Sequence, residues 1–264
     1  MPHALTLLSV LALAAAVPLP GRAAEAVPRA ELAPTGTLRV GLVEAPSAGV
    51  LFVARGRDGA PNGVTADLSA DLARAAGLPL AFTLFPNTGA AAAAIQAGTI
   101  DVSYMPVDAT RRGMLEFGPG YFDLESTYLA SAASGITDVA QVDRAGVRVV
   151  AIANTTTVRA SERTLSATRP VAVPSVAEAV ERMRAGEADA FALSRDTLRP
   201  IVAQVPGSRI VTGGFQQTQV AVAVPKGRPA ALAYVSAWLT EAKRSGLARR
   251  IFDAHGLGED AVAP

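Results

Sequence analysis

The sequence predicts an α/β protein of two similar lobes, each a mostly parallel sheet flanked by helices. Three observations predict it. Short apolar runs alternate with helical stretches in β-α-β-α-β order, which buries strands between helices. That order occurs twice along the chain. The segment Ala97-Gly98-Thr99-Ile100-Asp101 returns as Ala185-Gly186-Glu187-Ala188-Asp189, each time with a glycine closing a helix and an aspartate early in the next strand. One larger doubly wound sheet is the alternative these observations leave open.

In the first half, Leu38-Arg39-Val40-Gly41-Leu42-Val43 is an apolar run suited to a buried strand. After the turn-forming stretch Asp58-Gly59-Ala60-Pro61-Asn62-Gly63, Thr65 is expected to cap a helix that carries Leu68, Leu72 and Ala76 on one face and closes at Gly77. Leu80, Phe82 and Leu84 alternate as a strand. An alanine-rich helix follows from Asn87 or Thr88 to Gly98, then a strand over Ile100 to Met105, and Asp108 caps a short helix over Ala109 to Leu115. The second half repeats the grammar with a strand over Val147 to Ala153, a helix after Asn154 and a strand over Val171 to Val173. Ser175-Val176-Ala177-Glu178 reads as a capping box, its helix stops at Gly186, and Ala188 to Leu193 forms the next strand.

Composition narrows the function. With 24 Lys plus Arg against 23 Asp plus Glu, the net charge of +1 gives no footprint for nucleic acid. The absence of cysteine removes disulfides, thiol catalysis and thiolate zinc sites. His3 and His255 are the only imidazoles, so histidine metal clusters and Ser-His-Asp chemistry are poor fits, and no metal or cofactor is expected. No Gly-x-x-x-x-Gly-Lys-Ser/Thr loop occurs.

The apolar run Ala4 to Val17, broken by Pro18 and Pro20 and followed by Ala23, Ala24 and Ala26, suits an export signal and is too short to span a bilayer. Residues 1–26 are therefore expected to be a signal peptide cleaved after Ala23 or Ala26, with a retained anchor as the alternative. About 238 residues remain, enough for a self-sufficient core, and the mature product is expected in the periplasm.

Ligands of such sheets gather beyond the carboxyl ends of the strands, near helix N-termini. Those ends lie at Val43, Tyr104-Met105, Ala153-Asn154 and Leu193-Ser194, and could face each other across a cleft between the lobes.

In order and spacing, several segments resemble the extracytoplasmic solute-binding proteins of polar amino acid ABC importers, solute-binding family 3. They are Leu38-Arg39-Val40-Gly41, Gly63 to Leu68, Ala97 to Asp101, Arg111, Glu116-Phe117, Tyr121-Phe122, Thr155-Thr156, Ala185 to Asp189, Val220 to Lys226 and Ser245-Gly246-Leu247. The resemblance runs from about Leu38 to Phe252. It implies a type II periplasmic-binding-protein-like fold with the ligand cleft between the lobes. Lobe 1 would comprise residues 37–123 and 219–264, lobe 2 residues 124–218, with crossings near Asp123 to Ser126 and Gln217 to Val220. It also implies a monomer that closes on a small-molecule solute and docks on a membrane permease.

Residue by residue, Arg111 matches the family arginine that grips a carboxylate, a task its planar, permanently charged fork suits. Thr155 and Thr156 match the loop that receives the other side of the carboxylate at a helix start. Asn154 stands where the family has glycine and can adopt a left-handed conformation. A plain helix-capping role fits these three residues equally well. Ser194 falls where amino acid binders have an aspartate for the α-ammonium group, a charge-assisted contact of roughly 1.5 to 3 kcal/mol. Pro106 replaces a hydroxyl residue. No aromatic platform is evident at Glu44-Ala45-Pro46-Ser47, Phe52 being the nearest candidate, and Glu44 could instead receive an amino group. Tyr104 and Met105 are weaker candidates, because only one of two adjacent strand residues can face the cleft. The expected ligand is thus a small carboxylate-bearing solute that need not be a standard α-amino acid. Two alternatives carry weight: a dehydratase of the same fold acting on a pre-aromatic amino acid, with Glu44, Asp108 or Asp123 as proton donor, and a ligand sensor that docks on a membrane receptor.

Overall fold

A computed structural model describes residues 26–44, 52–55, 59–258 and 262–263. The expected export segment lies outside them up to residue 25, as does Ala45-Pro46-Ser47. Among the described residues no helix is long and apolar enough to cross a membrane.

The chain begins with the short helix α1 (Arg29–Leu32) and strand β1 (Leu38–Val43), followed by β2 (Ala54–Arg55), β3 (Pro61–Asn62) and helix α2 (Val64–Ala76). β4 (Leu80–Phe85), α3 (Thr88–Gln96), β5 (Val102–Pro106) and α4 (Ala109–Met114) complete the first β-α-β series. A long strand, β6 (Leu115–Ala130), then leads into β7 (Val149–Ile152), α5 (Thr156–Thr164), β8 (Pro170–Val173), α6 (Val176–Arg184), β9 (Ala190–Ser194) and α7 (Arg195–Ile201). After β10 (Arg209–Ile210), the second long strand β11 (Gln216–Pro225) returns the chain to α8 (Pro229–Arg244) and α9 (Leu247–Ala254).

Hydrogen bonding runs in the order β4-β1-β5-β11-β6-β9-β7-β8, with β10 on β6. β1 pairs in parallel with β4 and β5, and β7 does the same with β8 and β9. Each lobe therefore has a parallel core, and the crossing strands β6 and β11 are its antiparallel members. They pair with each other, Gln216 opposite Ser126 and Gln219 opposite Asp123, so the two lobe sheets are joined edge to edge. The expected alternative of one sheet survives only in that sense: hydrogen bonds are continuous, but the cores are separate. Buried residues from Leu32 to Leu124 and from Val220 to Phe252 form one cluster, whereas those from Tyr128 to Val211 form two others.

The repeated Gly…Asp segment has a structural cause. Gly98 and Gly186 take left-handed φ of 71° and 69°, where only glycine avoids a Cβ clash. Each following aspartate then clamps the start of its lobe's first strand. Asp101 accepts from Arg39 N, Nε and Nη2 at 3.1, 2.9 and 2.7 Å. Asp189 accepts from Arg148 N, Nε and Nη2 at 2.8, 3.0 and 2.7 Å. The two lobes thus repeat one device atom for atom.

Two expected caps differ. Gly63, not Thr65, precedes α2, because φ of 155° is needed there, and Thr65 lies buried inside the helix. Ser175 does cap α6 through Glu178 N, but the Glu178 carboxylate pairs with Arg182 one turn on and leaves the box half made.

Candidate functional site

The strand ends and helix starts of the two lobes face each other over a cavity of about 60 Å³. Val43, Phe52, Pro86, Asn87, Thr88 and Pro106 line it from the first lobe, and Ile152, Thr155, Thr156, Thr157, Val176, Leu193, Ser194 and Thr197 from the second, with Leu124 of the crossing strand between them. Aliphatic side chains and hydroxyls make up most of this surface, with the Phe52 ring and the Asn87 amide. Among the described residues none of its side chains is charged.

The cationic group lies just behind it. Asp108 takes extended φ and ψ as the N-cap of α4, and its Oδ1 accepts from Arg111 N at 2.8 Å, which turns the arginine inward. Arg111 is 1% exposed. Its Nη1 donates to Pro106 O at 2.7 Å, and its Nη2 donates to Thr88 Oγ1 at 2.6 Å and to Asn154 O of the opposite lobe at 3.4 Å. All three acceptors are neutral. Burial and the nearby Arg159 lower its pKa to about 10, with Asp108 acting the other way, so it keeps its charge at neutral pH.

Asp108 does not neutralise Arg111 alone, because its Oδ2 accepts from Arg159 Nε of the other lobe at 2.8 Å. Two guanidiniums thus share one carboxylate. In a poorly solvated place such a surplus favours an incoming anion.

Across the cleft, Asn154 has φ of 59°, the only non-glycine residue with positive φ among the described residues. That turn brings Thr155 to the N-cap of α5, where its hydroxyl donates to Ile152 O at 2.7 Å and accepts from Val158 N at 3.1 Å. Thr156 and Thr157 follow on the first turn, buried and facing the cavity. Their helix start offers unpaired N–H groups to an anion. Asn154 also meets α3 of the first lobe: a Cβ on Gly89 would lie 2.4 Å from the Asn154 Cβ.

The structure therefore brings Arg111, Asn154, Thr155, Thr156, Ser194 and Phe52 to one place. Tyr104 and Met105 are not brought there. Both are buried in the first lobe, Tyr104 against Tyr121 with ring centroids 5.8 Å apart, because their strand is covered on both faces. Glu44 is half-buried, bridges Val53 and is outside the described lining. Of the other acidic candidates, Asp108 is engaged as above and Asp123 accepts from Gln219 Nε2 at 3.0 Å. His255 bonds to Asp67 at 2.8 Å, away from the cleft lining. Among the described residues no group of His, Asp and Glu could hold a metal ion. Sequence reasoning missed Arg159, Thr88 and Thr197. The first is visible only through its long-range pair with Asp108, and isolated threonines carry no signal.

Solved structures share this architecture. A mutant of ArgBP from T. maritima matches with a TM-score of 0.74 and 23% identity over 85% of this chain and 97% of that one. The ancestral amino acid-binding protein AncCDT-1, a precursor of cyclohexadienyl dehydratase, matches with a TM-score of 0.73 and 24% identity over 85% and 97%. A putative ABC transporter binding component from Wolinella succinogenes DSM 1740, complexed with lysine, matches with 0.73 and 20% identity over 84% and 96%. At these identities the likeness speaks for the fold. A comparison with curated protein sequences finds no match. The model of the bacterial extracellular solute-binding proteins, family 3, matches residues 45–258, which takes in the second lobe, both crossing strands and the first lobe beyond β1. The chain belongs to that family.

Proposed function

We propose that this protein is the periplasmic substrate-binding component of an ABC importer and captures a small carboxylate-bearing solute by closing its lobes. The observation that carries this reading is Arg111, a buried cation held only by neutral oxygens at the back of an interlobe cleft. A carboxylate entering from the cleft supplies the missing countercharge, taking the place of Thr88 Oγ1 and Asn154 O on the guanidinium, while Thr155 and Thr156 offer the start of α5 to its other side. The lobes are residues 37–123 with 219–264, and residues 124–218, after removal of a signal peptide over 1–26. Each lobe contributes half the contacts, so the solute favours the closed state.

Solute-binding relatives that the comparisons name as amino acid binders support the class of ligand. Ser194 in place of a carboxylate turns the choice toward organic acids or modified amino acids. The working unit is a monomer that delivers to a membrane permease, and it releases the solute unchanged.

The test is calorimetry against a panel of amino acids and short organic acids, with Arg111→Ala beside the parent protein and thermal melting to verify folding. Loss of a charge-assisted pair of about 1.5 to 3 kcal/mol predicts an affinity lower by roughly 10- to 150-fold. Unchanged affinity in a folded Arg111→Ala variant overturns the carboxylate clamp. Nanomolar binding of ordinary polar amino acids overturns the inference from Ser194.

A further inference from the structure

On the second-lobe side of the cleft three side chains form a chain. Ser194 Oγ donates to Thr197 Oγ1 at 2.8 Å, and Thr197 Oγ1 donates to Asp196 Oδ2 at 3.2 Å. A carboxylate only accepts, so the direction is set from Asp196 outward: Thr197 gives its one proton to Asp196, and Ser194 gives its one proton to Thr197. Ser194 is left with lone pairs alone for anything else it meets. Both Ser194 and Thr197 line the cavity and are 3% exposed, so water competes little for them. Asp196 is outside the described lining; burial pushes its carboxyl above the ordinary value, while the Ser194 and Thr197 hydroxyls act the other way and favour the ionised acceptor. The cavity that Ser194 faces also has the aliphatic Leu124, Ile152, Val176 and Leu193 in its lining.

We propose that Ser194, oriented by Thr197 and Asp196, is a hydrogen-bond acceptor subsite that selects a hydroxyl on the ligand, making the solute a short aliphatic hydroxy carboxylate. This rests on the reading of Arg111 as the carboxylate clamp. An ammonium group here would meet the neutral Ser194 oxygen, because the Asp196 carboxylate is held behind the two hydroxyls and touches none of the described cavity itself, and a desolvated cation needs a direct partner. A hydroxyl donor is satisfied by one oriented acceptor. A ligand without a donor leaves the Ser194 lone pairs buried and unmatched, the asymmetry by which polar sites reject deoxy analogues. Thr197 and Asp196 are positioning residues, acting through Ser194. The small cavity and the aliphatic part of its lining suit a short ligand body of a few carbons.

The experiment is isothermal titration of the full mature protein with 2-hydroxybutyrate, 3-hydroxybutyrate, butyrate and 2-aminobutyrate, which share one four-carbon body. One hydroxy isomer is expected to bind about tenfold more tightly than butyrate and than 2-aminobutyrate, equivalent to roughly 1.4 kcal/mol. In Thr197→Val that ratio to butyrate falls to near one, whereas a merely structural role would weaken all four ligands alike and leave the ratio unchanged. Ser194→Ala keeps the Thr197 to Asp196 bond and is expected to lose the same ratio, which covers the case in which Thr197→Val does not fold. Equal affinity for butyrate and both hydroxy isomers, tighter binding of 2-aminobutyrate, no binding of any of the four, or a hydroxyl preference that survives Ser194→Ala each overturns the proposal. Failure of the parent reading looks different: it is carboxylate binding that persists in Arg111→Ala.

Discussion

Arg111 is held inside the protein by geometry that its own chain provides. Asp108 fixes the start of α4, and the Pro106 carbonyl holds one guanidinium nitrogen, so the fork is in place before any ligand meets it. Preorganisation of that kind lowers the ordering cost of binding. Asn154 does the matching work on the other lobe. Its left-handed backbone turns the chain so that its carbonyl faces Arg111 while Thr155 caps α5. An asparagine tolerates that conformation better than other residues with a Cβ, which lose roughly 1 to 2 kcal/mol there. Asn154→Gly should therefore leave the urea midpoint nearly unchanged, and Asn154→Ala should lower stability by about 1 kcal/mol. A loss in the glycine variant as large as in the alanine variant would place the importance of Asn154 in its side chain rather than in its backbone conformation. The residue types of this site were readable in the sequence because Arg111, Asn154 and the threonines follow strands whose ends must converge. What could not be read is that Arg111 has no carboxylate of its own, since Asp108 lies three residues away in sequence and yet shares its charge with Arg159 from the other lobe.

Among the elements, the strands and helices of the two β-α-β series followed closely from hydrophobic period and glycine position, whereas the long crossing strands β6 and β11 did not. The caps failed where backbone conformation outweighed side-chain chemistry: at Gly63 a φ of 155° excluded a side chain, so Thr65 moved inside α2. The paired Gly…Asp segment was visible as a repeat, but its meaning needed the distances that tie each aspartate to an arginine at the head of the neighbouring strand. The two clamps sit in different surroundings. The Asp101 side chain is fully buried and also receives Arg228 at 3.4 Å, whereas the Asp189 side chain is 19% exposed and its Arg148 partner 53%. Removing a buried partner leaves charge unpaired, so Asp101→Ala should cost about 3 kcal/mol. Asp189→Ala should cost about 1 kcal/mol, because solvent screens Arg148. Chemical denaturation of both variants tests the order, and equal losses would refute it. Arg148 holds the Asp189 carboxyl below its ordinary pKa. A lowered folded-state value means that this contribution is fully present above the unfolded pKa of about 3.9 and is lost as pH falls through the folded value. The stability gap between parent and Asp189→Ala should accordingly narrow on acidification below about pH 4 and stay constant from there to neutrality.

At the scale of the whole molecule, the proposed capture of a solute depends on how often the lobes meet. Contacts across the cleft among the described residues include Asp108 with Arg159, Arg111 with the Asn154 carbonyl, and Gly89 against Asn154. The last is the most informative, because it is purely steric. Gly89 lies in the first turn of α3, and a methyl group there would sit 2.4 Å from the Asn154 Cβ and 2.7 Å from its carbonyl oxygen, too close for either to remain in place. Within its own lobe the same methyl would have Asn87 Oδ1 at 3.2 Å, the end of a side chain that can shift by a few tenths of an ångström, and alanine favours the helix over glycine by up to about 0.5 kcal/mol at such a position. Gly89→Ala therefore separates closure from stability. Its melting temperature should equal or slightly exceed that of the parent, while affinity falls in proportion to the loss of the binding-competent closed state. A tenfold weaker Kd corresponds to about 1.4 kcal/mol against closure. Small-angle scattering at saturating ligand should then give the variant the larger radius of gyration. Parent-like affinity and compaction in Gly89→Ala would mean that α3 and the Asn154 loop need not touch for capture, and the closed arrangement of the two lobes would lose its role in binding.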